Sequence, residues 1–70
     1  MPRTTASKAF RMALEDVYFA DGDFVPHWIV GYRFAGKRRW RTGKSEYIAM
    51  RRAVIAFRVE VADQVAKALE

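Results

Sequence analysis

The sequence has no cysteine and a single histidine, His27, among its 70 residues. Without thiols the chain can form no disulfide, and one imidazole without a thiolate argues against a structural zinc site. A chain of this length buries only about 60% of the surface that it exposes when unfolded. We therefore expect one domain, residues 1–70 with a flexible segment at 1–4, that depends on close packing or on self-association for stability.

Long hydrophobic runs are also absent. No segment approaches the ~18 apolar residues of a membrane-spanning helix. The N-terminal letters MPRTTASKAF lack the apolar centre and cleavage pattern of a secretion signal. The sequence thus predicts a cytoplasmic protein with no membrane partner.

The residues that are present favour a folded, basic domain. Apolar residues make up 51% of the chain and aromatic residues 14%, which is more than a disordered basic tail carries. Thirteen Lys and Arg against eight Asp and Glu give a net charge of +5. Such a balance favours nucleic acid or an acidic protein surface as the partner.

The N-terminal segment has apolar residues at helical spacing, which predicts an amphipathic helix. The residues are Ala6, Ala9, Phe10, Ala13, Leu14, Val17 and Tyr18. Thr4, Thr5 or Ser7 can cap this helix, and the letters DGD at 21–23 end it. Phe10, Met12 and Leu14 also alternate as in a strand, so a strand stays open for residues 8–20, although a helix accounts for more of the residues.

The middle segment FVPHWIVGYRFAGKRRWRT, residues 24–42, predicts an antiparallel hairpin because it is rich in aromatic and β-branched residues and is broken by Gly36. Pro26 marks a strand start or an edge. A three-residue loop, 34–36, places Val30 opposite Trp40 and Tyr32 opposite Arg38. One face then carries Trp28, Val30, Tyr32 and Trp40, with Arg38 at its margin, and the other carries His27, Ile29, Gly31, Arg33, Lys37, Arg39 and Arg41. The first face is the expected core face and the second a basic surface.

The C-terminal segment from Ser45 to Leu69 contains no Gly or Pro, which predicts one helix of about 25 residues with Ser45 as its N-cap. Its apolar residues form two stripes about 120° apart. One stripe contains Tyr47, Met50, Val54, Phe57, Val61, Val65 and Ala68, and the other Ile48, Ile55, Val59, Ala62, Ala66 and Leu69. The overall prediction is an α+β fold of helix, hairpin of two or three strands, and long helix.

Two interpretations of these stripes stay open. In one, the hairpin and the first helix cover them within a single chain. In the other, the second stripe pairs with a second copy, because a 25-residue helix is about 37 Å long and exceeds a small domain. The homodimer interface would comprise Arg51, Ile55, Arg58, Val59, Ala62 and Ala66. Its arginines would need acidic partners such as Glu15, Asp16, Asp21 or Asp23.

The letters GKRRWRTGKS, residues 36–45, end like a nucleotide-binding loop, but Arg38 stands where the motif requires its first glycine. A helix start at Gly43, Lys44 and Ser45 can still hold one phosphate oxygen on free backbone N–H groups. Strand alternation, in turn, spaces cations at ~7 Å, which suits a nucleic acid backbone. The predicted binding residues are Arg33, Lys37, Arg38, Arg39, Arg41, Lys44 and Ser45, and Trp40 or Tyr32, where exposed, can stack on a base.

The letters GKSEYIAMRRAV, residues 43–54, resemble the start of the last helix in double-stranded RNA-binding domains through the spacing of Gly43, Ser45, Ala49 and Ala53. The order of helix, antiparallel strands and helix is also similar. The resemblance departs from that family at Glu46 and Tyr47, where the family has lysines, and in showing two strands instead of three. It implies RNA as one candidate partner.

Catalytic residues are scarce. His27 has no serine or carboxylate assigned to it by spacing, although a strand histidine beside arginines can act in RNA cleavage. We expect a non-enzymatic module with no cofactor and no metal. Its leading function is the binding of DNA or RNA. The alternative is a protein-interaction module, such as a small phage or plasmid inhibitor or adaptor, that docks the same hairpin on an acidic surface.

Overall fold

The computed structural model of the chain describes residues 2–21 and 27–69, with the backbone alone for 2–7. Two helices flank three strands, which confirms the predicted α+β class and its order of elements. The antiparallel sheet has the order β1-β2-β3. The elements are α1 (Pro2–Ala13), β1 (Leu14–Ala20), β2 (His27–Phe34), β3 (Lys37–Gly43) and α2 (Glu46–Ala68).

The N-terminal helix was predicted to continue through Tyr18, but it ends at Ala13 and a strand follows. The cause of the error is a β-bulge between Leu14 and Asp16, which inserts Glu15 into β1. The bulge puts Leu14 and Val17 on the same side of the sheet, so a strand shows the three-residue spacing of a helix. At its other end α1 begins at Pro2, so the three predicted capping residues lie inside it. The predicted stop at 21–23 and the predicted strand start at Pro26 involve residues 22–26, which lie outside the described part of the chain.

Both helices pack on one face of the sheet. The buried core joins Phe10 of α1, Val30 and Tyr32 of β2, and the residues Ala49, Ala53 and Phe57 of α2. Three aromatic rings meet there, with the ring centres of Phe10 and Phe57 5.5 Å apart and those of Tyr32 and Phe57 6.0 Å apart, and the half-buried Phe34 also contacts Phe57. Such tilted and edge-on contacts stabilise a core beyond the area that they bury.

The hairpin register differs by one residue from the prediction. Val30 pairs with Arg41 and Tyr32 with Arg39, because the loop contains only Ala35 and Gly36. Both loop residues have positive φ, 52° and 78°, as the primed two-residue turn requires. The predicted faces are therefore correct for β2, whose Val30 and Tyr32 are in the core, and wrong for β3, whose residues are exchanged between the two faces. The side toward the helices carries Lys37, Arg39 and Arg41 beside Val30 and Tyr32, and the opposite side carries Arg38 and Trp40 beside Ile29, Gly31 and Arg33.

Packing at the end of β3 fits this register. Gly43 pairs with Trp28 on the side of the sheet toward the helices, and it is buried against the first turn of α2. A Cβ atom at Gly43 would lie 2.6 Å from the backbone nitrogen of Ala49. Only glycine permits this approach, so Gly43 has a packing role at the start of the helix.

Helix α2 starts at the predicted N-cap, where the Ser45 hydroxyl accepts a 3.1 Å hydrogen bond from the Ile48 N–H. The side of α2 that faces the core contains Ala49, Ala53 and Phe57. The small side chains of the two alanines let the helix lie close to the sheet. Phe57 belongs to the first predicted stripe, whereas Ala49 and Ala53 belong to neither stripe and lie on the side of the first stripe away from the second. Met50 and Val54 of the first stripe pack beside the core, whereas Tyr47, Val61 and Val65 are exposed.

The last part of α2 is exposed, and its residues Val61, Gln64 and Lys67 line open depressions beside the hairpin turn. Residues 61–69 are exposed throughout, and the molecule measures 45 × 24 × 15 Å. The Cα radius of gyration is 13.3 Å, above the ~11 Å expected for a compact chain of this length. In the described ranges, 2–21 and 27–69, no helix is both long enough and apolar enough to cross a membrane.

Candidate nucleic-acid interface

Three of the arginines predicted to bind a partner are held in ion pairs within the chain. Arg33 donates from Nε to Glu15 Oε2 at 2.9 Å, and Arg38 is paired with Asp16. Both acidic residues lie on β1, at the bulge. On the helix side, Arg39 Nε lies 3.1 Å from Glu60 Oε2 of α2. A phosphate at any of these arginines would have to compete with a carboxylate already in place.

Tyr32 was predicted as a possible stacking residue, but its side chain is fully buried and therefore cannot stack on a base. Its hydroxyl donates a 2.7 Å hydrogen bond to Glu60 Oε1. Burial, together with this bond to a carboxylate, raises the pKa of Tyr32 to about 12. Glu60 thus receives Tyr32 on one oxygen and Arg39 on the other, and it joins α2 to the two strands beneath it.

The outer edge of β3 is occupied by two arginines. Lys37 is the first β3 residue after the two-residue turn and forms a hydrogen-bonded pair with Phe34. Because hydrogen-bonded pairs alternate along an antiparallel ladder, the backbone groups of residues 37, 39, 41 and 43 face β2 and those of 38, 40 and 42 face outward. Arg41 Nη1 donates to the Trp40 carbonyl at 2.7 Å, and Arg52 Nη1 of α2 donates to the Thr42 carbonyl at 2.9 Å. These bonds satisfy two of the free carbonyls of an edge strand, which would otherwise be open to pairing with another chain.

Four cations lie along this edge: Lys37, Arg41, Lys44 and Arg52. We call them the cationic edge. All four are exposed. In the part of the chain that the structure describes, none of them forms an ion pair with a carboxylate. Their full charge is therefore available to an anionic partner.

The open face of the sheet, which bears no helix, presents two exposed aromatic side chains. Trp40 is 58% exposed and Tyr18 is 49% exposed. Between them, Ile29 pairs with Tyr18, and Gly31 pairs with both Asp16 and Trp40. The missing side chain at Gly31 leaves a shallow depression of about 370 Å³, lined by Asp16, Tyr18, Ile29, Gly31, Arg38 and Trp40. We call this surface the aromatic face.

The predicted phosphate site at the start of α2 is largely used by the protein itself. The Ser45 hydroxyl caps the helix, and Gly43 is buried by packing. Lys44 is the member of this trio that is exposed. Ser45 is therefore a structural residue in this fold.

All six residues predicted for a dimer interface, Arg51, Ile55, Arg58, Val59, Ala62 and Ala66, are exposed on α2. Two acidic residues expected to pair with the arginines of this set, Glu15 and Asp16, already pair with Arg33 and Arg38. Asp21 is exposed, and Asp23 lies outside the described residues.

His27, the single histidine, begins β2 opposite Ala20 at the far end of the sheet from the hairpin turn. In the residues that the structure describes, no group of three or more His, Cys, Asp or Glu is arranged to hold a metal ion.

The sequence patterns did not predict Tyr18 and Arg52 as residues of these surfaces. Tyr18 was assigned to a helix, so its alternation with Asp16 along a strand was not recognised. Arg52 lies in α2 and reaches β3 only through the fold. Nothing in the sequence separates Arg52 from its neighbour Arg51, which donates to Tyr47 within the helix. Only the packing of α2 against β3 shows which of the two arginines reaches the strand.

Searches of protein-family models, of curated proteins and of solved structures found no match to this chain.

Proposed function

We propose that this protein is a non-enzymatic nucleic-acid-binding module that contacts the phosphate backbone through its cationic edge. The observation that carries the proposal is the arrangement of Lys37, Arg41, Lys44 and Arg52 along one strand edge, where no described carboxylate pairs with them. Neutralised phosphates release counterions, so such an edge binds a polyanion in a salt-dependent manner.

The spacing of the edge supports a linear polyanion. Lys37 and Arg41 are four residues apart on a strand, or ~14 Å at 3.4 Å per residue. A stacked nucleic acid strand advances ~3.4 Å per phosphate, so this span covers about four phosphates. Lys44 and Arg52 continue the positive surface beyond Arg41 toward the first turns of α2.

The proposed site is narrower than the predicted one. Arg33, Arg38 and Arg39 are paired with Glu15, Asp16 and Glu60, and the opposite charges of each pair largely cancel at a third charge such as a phosphate. Lys37, Arg41 and Lys44 are retained from the prediction, and Arg52 is added.

The element order resembles that of double-stranded RNA-binding domains, which is a likeness of fold and no argument for a duplex partner. The third strand, whose apparent absence separated the chain from the double-stranded RNA-binding domains that residues 43–54 resemble, is present as β1. This likeness concerns the fold alone, because one fold serves many functions. Glu46 and Tyr47, both exposed, still stand at the lysine positions of that family.

The proposal is tested with fluorescently labelled random-sequence DNA and RNA, titrated at several salt concentrations. We expect binding of the unmodified protein at low salt, with log K falling linearly against log salt. The double variant Arg41→Glu/Arg52→Glu should bind more weakly and lose about one unit of salt slope for each cation removed. The variant Lys8→Glu/Arg11→Glu, which makes the same change in net charge on exposed residues of α1, is the matched control.

Equal loss in both double variants would show that binding follows net charge alone, and it would remove the cationic edge from the proposal. No detectable binding at low salt would reject the function. The alternative, an acidic protein surface, would then be sought by capture from lysate in the presence of nuclease. Circular dichroism of each variant checks that the loss of the bond from Arg52 to Thr42 leaves the fold intact.

We also propose that α2 joins a second copy of the chain through its outer side. Ile55, Val59 and Leu69 are 49%, 63% and 83% exposed, and the last nine described residues, 61–69, are all exposed. Ala62 and Ala66 lie on the same side as Ile55 and Val59, and such small side chains let a second helix approach closely. An identical stripe is self-complementary about a two-fold axis.

A further inference from the structure

We infer that the aromatic face binds unpaired nucleobases, so the polymer held at the cationic edge is single-stranded. This inference rests on the proposed function, because it assigns the bases of the same polymer whose phosphates contact the edge. It follows from three properties of the sheet: the placement of two exposed rings, the charge of the surface between them, and the alternation of residues along β3.

The two rings belong to the outer strands and share one side of the sheet. Trp40 on β3 pairs with Gly31, and Tyr18 on β1 pairs with Ile29. The two rings are therefore separated by the width of two strand spacings and by two residues along the strand direction. With strands ~4.8 Å apart and two residues along a strand spanning ~6.8 Å, their Cα atoms lie ~12 Å apart on the diagonal. Ile29 and Gly31 form the floor between them. A flat heterocycle can lie on this floor against either ring.

The charge of the aromatic face suits an uncharged ring and disfavours a phosphate. Arg38 is paired with Asp16, and Arg33 with Glu15, so the charged residues around the depression neutralise one another. A phosphate there would meet Arg38 already neutralised by Asp16 and would gain little net attraction, whereas a base would meet Ile29 and the rings of Trp40 and Tyr18.

Strand alternation links the aromatic face to the cationic edge. Trp40 points to the open side of the sheet, and the next residue, Arg41, points to the other side and bonds the Trp40 carbonyl at the strand edge. A backbone that runs along the edge can therefore turn its bases over β3 onto Trp40. In a duplex the bases are stacked and paired inward, so their faces cannot reach the ring.

The test compares three labelled probes of equal length: a single strand, the same strand in duplex with its complement, and an abasic sugar-phosphate strand. For Trp40→Ala, base stacking predicts a roughly 5- to 100-fold loss of affinity for the single strand, with the duplex and abasic affinities unchanged. Tyr47→Ala, which removes another exposed aromatic residue, on α2, is the matched control and should leave all three affinities unchanged. The variant Arg41→Glu/Arg52→Glu should weaken all three.

A second measurement follows the ring directly. Trp28→Phe leaves Trp40 as the single tryptophan, and its fluorescence should be quenched by the single strand and not by the duplex or the abasic strand. The inference is overturned when the unmodified protein binds the abasic strand or the duplex as tightly as the single strand, or when Trp40→Ala lowers all affinities equally. Failure of every probe to bind would instead reject the proposed function. A change of sedimentation in Trp40→Ala would assign the aromatic face to contact between copies and would also overturn the inference.

Discussion

The phenolic O–H of Tyr32 donates to Oε1 of Glu60 over 2.7 Å, and this bond links the middle strand of the sheet to the far half of α2. The two residues are 28 positions apart in sequence. The bond lies next to the contact of Glu60 with Arg39, so one carboxylate connects α2, β2 and β3. It places an ionisable phenol, in its neutral form, at the centre of the fold.

Folding stability should therefore fall in alkaline solution as Tyr32 ionises. The pKa of Tyr32 is about 12 in the fold and 10.0 in a free side chain, so the fold favours the protonated phenol. Its contribution is complete below pH 10 and is lost as the pH rises through 12. Denaturant midpoints measured across this window should decline less in Tyr32→Phe than in the unmodified protein.

At neutral pH, Tyr32→Phe measures how much the hydrogen bond from Tyr32 to Glu60 contributes to the free energy of unfolding. Tyr32→Phe leaves Glu60 paired with Arg39, so we expect a loss of about 1 kcal/mol in the free energy of unfolding. Identical alkaline behaviour of the two proteins would contradict the assignment of the titrating group to Tyr32.

Gly43 should tolerate no side chain, whereas Gly31 should accept one. In Gly43→Ala the new Cβ would meet the Ala49 backbone nitrogen at 2.6 Å, and backbone at the start of a packed helix cannot move aside cheaply. We expect a loss of about 1–3 kcal/mol in the free energy of unfolding. Gly31→Ala is the matched control, since its Cβ would lie 3.5 Å from the Asp16 carboxylate, an ordinary contact. Thermal unfolding of both variants measures the difference, and equal stability would argue against the close approach of β3 to α2.

Self-association through α2 should depend on Val59. Val59→Glu places a charge in the apolar stripe of the proposed interface, and because burying that charge between two copies is costly, the variant should shift the protein from dimer to monomer. Sedimentation over a range of micromolar concentrations measures the shift, and Gln64→Glu, which adds a charge elsewhere on the exposed helix end, is the control. A monomer in the unmodified protein at high micromolar concentration would remove the dimer proposal.

Sequence patterns correctly predicted those parts of the fold whose structure depends on neighbouring residues, such as the start of α2. Ser45 satisfies an N–H three residues ahead of it, and the absence of Gly and Pro after it allowed one long helix to be predicted. In the N-terminal third the helix was predicted, but its end was placed at Tyr18 instead of Ala13, because a bulge at Glu15 gave a strand the spacing of a helix. The turn was predicted in the right place but one residue too long, since Ala35 adopts a left-handed conformation that is more typical of Asn or Gly.

The composition of the candidate site depended on the pairing register of β3, which differs from the prediction by one residue. The sequence by itself determined a small basic α+β domain with a capped C-terminal helix and an arginine-rich strand, because composition, helix capping and strand propensity act over a few neighbouring residues. Only the tertiary structure decided which arginines are free and which side of the sheet Trp40 occupies. Those outcomes arise from contacts distant in sequence, such as Arg39 with Glu60, Arg38 with Asp16 and Gly43 with Ala49, and a shift of one residue along β3 reverses every side chain in it.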